Sequence, residues 1–291
     1  MKARMRFLIQ MLGALVVLPA IAHEEGAPFS GAIIDPLVLH HAHIENEQRI
    51  NLFSLRGVDG FGGGKRSAFQ SELELAWSSK DFRFGAEIFV PFARIPSPAA
   101  DQMQTGIGDV EVRPIKYSFV NRADTVMSTA TGITLPTGDK GKGIGRGNTA
   151  LTQYLFVDKA VGNWFVGFNL SADVRVRGES GSGLGYGAVL AYSFIEGTPA
   201  DSLAKPRPSQ SVVITPSIEF IGERRLSGRD AREKSASLLP GLTFWWPKSG
   251  WQLHLGVSFP ATSTREADRV LLLQLGNHFN WERLFTGKGF D

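Results

Sequence analysis

The sequence predicts an all-β fold, a closed antiparallel transmembrane β-barrel of about 12 strands. Three observations predict it: an export signal at the N-terminus, a succession of long alternating segments, and tryptophans gathered at one end of those segments. The clearest segment is "WFVGFNLSADVRVR" at 164–177, where every second residue is apolar or small. Alternation is the period of a β-strand, but by itself it leaves open whether the apolar face packs on a soluble core or meets lipid.

The N-terminus has the pattern of a secretory signal peptide over residues 1–22. "MKARMR" carries three basic residues, an apolar run of 12 residues follows, and Ala20-Ile21-Ala22 supplies a cleavage site. The run is shorter than the roughly 20 residues of a spanning helix, so we expect cleavage after Ala22, with a retained anchor as the alternative.

The charge balance and the absence of cysteine exclude several classes of function. Cleavage would remove three of the 31 basic residues and none of the 28 acidic ones, which leaves 28 of each. This neutral balance gives no electrostatic support for a nucleic-acid partner. The chain contains no cysteine, so it has neither a disulfide framework nor a thiolate metal site.

From residue 47 onward the chain divides into alternating segments that we interpret as barrel strands. Most have about ten residues or more, the length of a tilted strand that crosses a bilayer and longer than a globular strand of about five or six residues. An even strand number also suits a closed bacterial barrel. The 12 predicted strands are 47–56, 66–78, 82–91, 107–119, 125–136, 149–157, 164–177, 184–195, 210–221, 236–246, 251–259 and 268–281.

The connections between these segments alternate in length. Tight turns such as "SSKD" at 78–81 follow long connections such as "GVDGFGGGK" at 57–65. Short periplasmic turns and long extracellular loops are the barrel pattern. The connection 196–210 is long on the predicted short side, so a miscounted strand near it remains an alternative.

The tryptophans predict which end of the strands is periplasmic. Indole rings favour the interface between lipid tails and headgroups, and one aromatic girdle would explain their clustering, whereas a soluble sandwich would scatter them. All six lie at the ends that this topology places on the periplasmic side: Trp77, Trp164, Trp245, Trp246, Trp251 and Trp281.

The polar faces of the strands carry charged residues at membrane depth. Exposure to lipid would cost several kcal/mol for each charge, so we expect these residues to line a wet or internally paired lumen. The alternative is the solvent face of a soluble protein. In "GDVEVRP", Asp109 also shares this polar face, until Pro114 shifts the phase at a predicted bulge. The predicted lining residues are Glu72, Glu74, Arg83, Glu87, Glu111, Arg113, Asn169, Asp173, Arg175 and Arg177.

The last predicted strand ends in "QLGNHFNW" at 274–281, whose spacing is similar to the terminal signal that the barrel-assembly machinery recognises on outer-membrane proteins. A tail, 282–291, follows it, whereas the signal usually closes the chain.

Three stretches carry a resemblance to a known family. They are "GIGDVEVRPIKY" at 106–117, "GITLPTGD" at 132–139 and "DKAVGNWFVGFNLS" at 158–171. With them the central third of the chain resembles the bacterial outer-membrane transporters known as "MetA-pathway of phenol degradation" proteins. The resemblance implies a porin-like barrel in the bacterial outer membrane that is associated with small, often aromatic or apolar compounds.

Residues 23–46 precede the barrel and are rich in histidine. We expect this segment to lie in the periplasm or inside the lumen, where it could act as a plug. His23, His40, His41 and His43 are candidate ligands for zinc, copper or nickel, because imidazoles near carboxylates suit these metals. The alternative is a polar segment that binds no metal, since spacing alone does not show convergence in space.

Two further histidines, His254 and His278, are predicted to face the lumen on neighbouring strands. If the last hairpin is centred near residue 264, His254 pairs near Gln274. His278 then lies four residues beyond Gln274, and Ser258 lies four residues beyond His254, each on the order of 13 Å from His254. That separation does not favour a nucleophile and base pair, and a barrel hydrolase is kept as an alternative. The function that we expect is passive passage of small molecules, without a resident cofactor and with outer-membrane lipid around the barrel; the oligomeric state is left open.

Overall fold

A computed structural model describes residues 27–97, 100–196, 206, 209–229 and 231–278. Its strands form one antiparallel sheet. The sheet closes into a barrel because the first strand of the chain, β1, pairs with the last, β13, and β2 pairs with β3. Among the described residues, no helix is long and apolar enough to cross a membrane. The strands are β1 (Glu47–Asp59), β2 (Lys65–Ser78), β3 (Phe84–Pro96), β4 (Met103–Ile107), β5 (Glu111–Asn121), β6 (Thr125–Thr134), β7 (Thr149–Val161), β8 (Trp164–Arg177), β9 (Gly181–Tyr192), β10 (Val213–Gly228), β11 (Lys234–Trp246), β12 (Trp251–Pro260) and β13 (Arg269–His278).

Strands β4 and β5 share a single position in the wall. β4 pairs with the extracellular half of β3 and β5 pairs with its periplasmic half, with residues 108–110 between them. The predicted strand 107–119 is therefore two pieces of one broken strand, and the barrel has 12 positions. The predicted fold class, a closed antiparallel barrel of about 12 strands, is confirmed.

The exterior of the barrel is apolar. On β8 the side chains of Phe168 and Leu170 are 52% and 50% exposed, whereas Phe165 on the opposite face is 0% exposed. Bulky apolar side chains are exposed on most of the other strands as well. Such a continuous apolar surface would promote aggregation in water and is stable when lipid covers it.

The strand β5 contains the predicted bulge. The register between β5 and β6 shifts between Val112 and Ile115, on either side of Pro114. Glu111 and Arg113 face the lumen before the shift, and Lys116 faces it afterwards. Because Pro114 cannot donate a ladder hydrogen bond, the wall accommodates it by a bulge, as the sequence predicted.

The periplasmic connections are short where the structure describes them, at 79–83, 122–124, 162–163 and 247–250. β9 pairs directly with β10, so no additional strand stands between these two in the wall. On the extracellular side the loops vary more than predicted, from residues 178–180 between β8 and β9 to residues 135–148 between β6 and β7.

The tryptophans occupy the periplasmic ends of their strands, with one difference from the prediction. Trp77, Trp164 and Trp246 are 36%, 49% and 38% exposed at the outer surface, as a girdle requires. Trp245 is only 6% exposed and packs inside the barrel, because alternation turns it away from its neighbour Trp246. The single girdle that we expected for all six is therefore wrong for Trp245, and Trp281 lies outside the described residues.

Candidate functional site

Residues 27–46, here called the inner segment, lie inside the periplasmic half of the barrel. Nearly all of them are buried. Both ends of the described segment are held near the periplasmic rim: the Ser30 amide donates to the carbonyl of Ala123 at 2.6 Å, and the Ser78 amide donates to Asn46 Oδ1 at 2.9 Å. The segment thus enters the lumen, turns and returns to the rim, where β1 begins.

A single carboxylate of the wall holds the turn of the inner segment. Glu219 on β10 accepts the amide hydrogens of Leu37, Val38 and Leu39 at 2.5, 3.1 and 3.0 Å. The side chain of Glu219 is completely buried. Three charge-assisted hydrogen bonds compensate for the cost of burying this carboxylate, and they fix the depth of the turn.

Glycines in the wall make room for the same turn. A Cβ atom at Gly241 would lie 2.2 Å from Leu37 Cδ1, and a Cβ atom at Gly187 would lie 2.3 Å from Leu39 Cδ2. Such distances are below van der Waals contact, so a larger residue at either position would force the Leu37 or Leu39 side chain to move. The wall of the barrel is therefore complementary to residues 37–39.

Apolar contacts complete the packing of the inner segment. Ile33, Leu39 and Ala42 share a buried cluster with Phe156 and Phe165 from the wall. Sequence reasoning missed these wall residues because it assigned the inner face to polar side chains. The signal was present in the sequence, since Phe165 stands on the otherwise polar face of β8.

One side of the inner segment meets a group of buried charges that we call the arginine cluster. Arg113 donates to Glu111 at 2.7 Å and to Glu87 at 2.9 Å, and Lys116 donates to the other oxygen of Glu87 at 2.7 Å. His40 joins the cluster, with its Nε2 atom 2.9 Å from Arg113 Nη2. The Arg113 guanidinium also lies between two rings, 4.3 Å from the centre of Phe89 and 4.2 Å from that of Tyr154.

The other side of the inner segment forms the imidazole cluster, made of Asp35, His41, His43 and His278. Three Nε2 atoms surround the Asp35 carboxylate: those of His43 and His41 lie 3.0 and 3.5 Å from Oδ1, and that of His278 lies 3.0 Å from Oδ2. The rings of His41 and His43 stack with their centres 3.9 Å apart. All four side chains are almost fully buried.

Burial and charge shift the pKa values of these histidines in different directions. Burial, and next the Arg113 charge, lower the pKa of His40 well below its usual value. Burial, and next the neighbouring His43, also lower the pKa of His41. Burial would lower the pKa of His43 too, but hydrogen bonds to Asp158, Asp35 and Glu45 outweigh it and raise that pKa well above the usual value.

The predicted lining residues occupy three levels of the barrel. Glu72, Glu74, Glu87, Glu111 and Arg113 lie at the level of the inner segment, where Asn51 donates to Glu72 and Arg49 approaches Glu74 at 3.7 Å. Asn169, Asp173 and Arg175 line the open lumen above, and Arg177 ends β8.

The tenth of these residues, Arg83, does not line the lumen. It lies exposed in the turn between β2 and β3, because β3 begins only at Phe84. The expectation for this residue was therefore wrong.

An open cavity of about 320 Å³, here called the vestibule, runs from the extracellular side down to the inner segment. Val38, Leu39 and His40 form its floor, with Tyr154 and Phe156 beside them. The first four inward positions of β9 are glycines, Gly181, Gly183, Gly185 and Gly187, which leaves this side of the lumen wide. A second cavity of about 430 Å³, the outer cavity, adjoins the vestibule and shares Arg146, Asn148, Arg175, Glu223 and Arg225 with it.

The outer cavity carries many charged side chains that the sequence analysis did not single out. Arg225 pairs with Asp173 at 3.1 Å, and Lys140 pairs with Glu179 at 3.1 Å. Lys140 and Glu179 lie between strands and Arg225 lies near the end of β10, where no alternation marks them as facing inward. The basic members of its lining are Lys140, Arg146, Arg175, Arg225, Lys234 and Arg265, and the acidic members are Glu179, Glu223, Glu233 and Glu266.

Two of the sequence stretches that carry the family resemblance meet at this mouth. Asp109, in the break between β4 and β5, accepts the amide hydrogens of Gly138 and Arg146 at 2.9 and 2.7 Å. The Thr137 hydroxyl donates to the carbonyl of Gly108 at 2.8 Å. The interrupted strand thus provides the polar groups that hold the loop 135–148 in place.

The remaining candidate histidines are distributed as follows. His254 pairs with Gln274 in the register of β12 and β13, as predicted, and it contacts Gln252 at 3.0 Å and Thr243 at 2.9 Å. His278 joins the imidazole cluster instead. His23 lies outside the described residues, as do the signal peptide, the tail 282–291 and Phe279 and Trp281 of the assembly signal.

Comparison with solved structures supports this architecture. The COG4313 outer membrane channel from Pseudomonas putida F1 superposes with a TM-score of 0.55 at 16% identity, over 84% of this chain and 100% of that one. The chain has the fold of an outer-membrane β-barrel. The beta domain of the Bordetella autotransporter BrkA is also similar, with a TM-score of 0.50 at 11% identity, over 81% of this chain and 100% of that domain. No family model and no curated protein matches the sequence.

The closed wall and its apolar exterior locate the protein in the bacterial outer membrane. A closed antiparallel barrel satisfies every wall hydrogen bond internally, which is the condition for crossing a bilayer with strands. The exposed apolar side chains of β8 and its neighbours then lie against lipid, and the ionic groups lie in the lumen.

Proposed function

We propose that this barrel is a passive channel for small molecules and that the inner segment is its plug. The observation that carries the proposal is the continuous space from the outer cavity through the vestibule to the floor at Val38, Leu39 and His40. Below that floor the inner segment and the wall are closely packed. Passage of a solute therefore requires the inner segment to shift away from the wall.

The lining of the pathway favours small solutes that combine an apolar or aromatic part with a polar group. Tyr154, Phe156 and Leu39 offer an apolar surface at the floor, and Arg146 and Arg175 lie above them. This agrees with the resemblance to "MetA-pathway of phenol degradation" transporters, whose members are associated with such compounds. The name of the similar Pseudomonas protein, an outer membrane channel, supports the same function.

A hydrolase is the less favoured alternative. His254 is buried, with Gln252 and Thr243 at its two ring nitrogens, and neither partner is a carboxylate that would orient a catalytic base. Ser258 pairs with Val270, four positions along the β12–β13 ladder from the His254–Gln274 pair. These contacts favour a structural role for His254.

A reversible disulfide tests the role of the inner segment. The chain has no cysteine, so Leu39→Cys with Gly187→Cys would create a single pair. A Cβ at Gly187 would lie 2.3 Å from Leu39 Cδ2, so positions 39 and 187 are direct neighbours, as a disulfide requires. We expect oxidation to lower the mean single-channel conductance in planar bilayers and to suppress opening events, and we expect a reductant to restore both.

The single variants Leu39→Cys and Gly187→Cys are the matched controls, and their conductance should not respond to the oxidant. A shortened chain without residues 23–46 should show larger and steadier conductance than the full chain. Equal conductance of the oxidised and reduced double variant, with the disulfide demonstrated by mass spectrometry, would contradict a moving plug.

A further inference from the structure

We propose that Asp35, His41 and His43 bind a divalent first-row transition metal ion, of which zinc is the representative, where the inner segment meets the wall. Their donor atoms lie within 4.8 Å of one another, and all three residues are buried. Two imidazoles and one carboxylate are ligands that zinc, copper and nickel accept. The proposal does not depend on whether the barrel conducts.

Two of the three distances between the donor atoms are close to those of a tetrahedral site. Zinc binds imidazole nitrogen and carboxylate oxygen at about 2.0 to 2.2 Å, which places neighbouring ligands about 3.3 Å apart. The Nε2 atoms of His43 and His41 lie 3.0 and 3.5 Å from Asp35 Oδ1. The two rings are stacked with an angle of 22° between their planes, so one ring must turn before both Nε2 lone pairs point at a single ion.

The hydrogen bonds on the far side of each ring direct the Nε2 atoms inward. His41 Nδ1 lies 2.8 Å from the carbonyl oxygen of His43. Because a carbonyl only accepts, Nδ1 carries the hydrogen, and in the neutral ring the Nε2 lone pair faces Asp35 and also Glu47 Oε2 at 3.3 Å. A lone pair that faces carboxylate oxygens is stable only with a proton or a metal ion between them.

The second ring is oriented by a carboxylate. His43 Nδ1 lies 3.3 Å from Asp158 Oδ2, and the same oxygen accepts the amide hydrogen of Ala42 at 2.6 Å. Carboxylates and backbone carbonyls are the usual partners of the outer ring nitrogen of metal-bound histidine. Both imidazoles therefore have the support that a metal site needs.

A small enclosed cavity adjoins the proposed ligands. It measures about 10 Å³ and is lined by Asp35 and His43 together with the polar side chains of Thr215 and Gln252. This is room for about one water molecule, which would complete four-coordination. Glu47 is a second candidate for the fourth position, since it contacts both His41 and His278.

The competing explanation is a proton-based network, in which imidazolium rings donate to Asp35, Glu45 and Glu47 without any metal. Both explanations neutralise the same buried carboxylates. They differ in stoichiometric binding of metal and in the spectrum of the bound ion, and a test must measure both.

The test uses tag-free, full-length barrel refolded in detergent and stripped with a chelator. Titration with zinc in a calorimeter should show one bound equivalent. His41→Gln and His43→Gln should each weaken this binding by more than the roughly 10- to 100-fold that loss of an orienting partner costs, and Asp158→Asn should weaken it within that range. His40→Gln is the matched control, because His40 lies beside them in sequence but contacts Arg113, and it should bind zinc like the natural chain.

Cobalt binding to the unaltered barrel tests whether the site holds a metal ion, even if a variant fails to fold. A tetrahedral site with two imidazoles should give intense visible absorption bands and histidine nitrogen scattering in X-ray absorption. Absence of stoichiometric zinc binding by the natural chain would overturn the proposal. So would equal affinity in His40→Gln, His41→Gln and His43→Gln, or a cobalt spectrum of the hydrated ion.

Discussion

The sidedness of β8 makes a quantitative prediction for Leu170→Arg. Leu170 is 50% exposed on the outer face and lies six residues from Trp164 in the periplasmic girdle. At about 3.4 Å per residue and a tilt of about 40°, it lies about 16 Å from that girdle. The apolar band is about 25 Å tall, so the residue is within a few ångströms of the bilayer centre. Arginine there should cost roughly 2 to 4 kcal/mol, a roughly 30- to 900-fold change in the folding equilibrium.

The measurement is a urea titration of the barrel in phospholipid vesicles, followed by tryptophan fluorescence and by the fraction that migrates as folded protein on unheated gels. Asn169→Arg is the matched control, because Asn169 has the same depth but lines the vestibule. It should fold almost normally and shift ion selectivity toward anions through its added positive charge. Equal tolerance at both positions, or greater damage at 169 than at 170, would refute the orientation of the wall.

Three further predictions follow from the same geometry. The mature chain should fractionate with the outer membrane and change its gel migration only after boiling; recovery from the soluble periplasm would contradict the barrel. Glu219→Gln should loosen the turn at Leu37 and increase the frequency of channel openings, because an amide has a single acceptor oxygen for three amide hydrogens. Its control is Glu196→Gln, at an exposed position outside the lining of both cavities. His254→Ala should leave conductance unchanged, and loss of a lipid- or peptide-cleaving activity in this variant would favour the hydrolase alternative.

Most of the wall could be predicted from the sequence because lipid imposes a strict alternation on long strands. Prediction was poorer where that constraint ends. Strand β10 continues to Gly228, beyond the predicted end at 221, since its outer part pairs with β11 but is mostly polar and has no apolar alternation to reveal it. The break at 108–110 was also missed, because it depends on Asp109 binding loop amides that are distant in sequence.

The candidate site was less predictable than the wall because its contacts join residues far apart in the chain. The histidine-rich composition indicated His41 and His43 as candidate ligands, but only the folded barrel brings Asp35 and His278 to them. His40 has the same composition around it and turns instead to Arg113. In an irregular segment the direction of side chains does not repeat along the sequence. The sequence pattern alone therefore cannot tell which of two neighbouring histidines reaches Asp35.

The attachment of the inner segment has a mechanical consequence. Its C-terminal arm continues without a break into β1, whose ladder partners are β2 and β13, whereas the described N-terminal arm is held at the rim by the Ser30 hydrogen bond. A force that pulls the N-terminal end of the inner segment toward the periplasm should therefore break its contacts in order from residue 30 to Leu37. The segment would not leave the lumen as one rigid body. Force spectroscopy should record a series of small rupture forces, followed by a much larger one when the pairing of β1 with β2 and β13 resists.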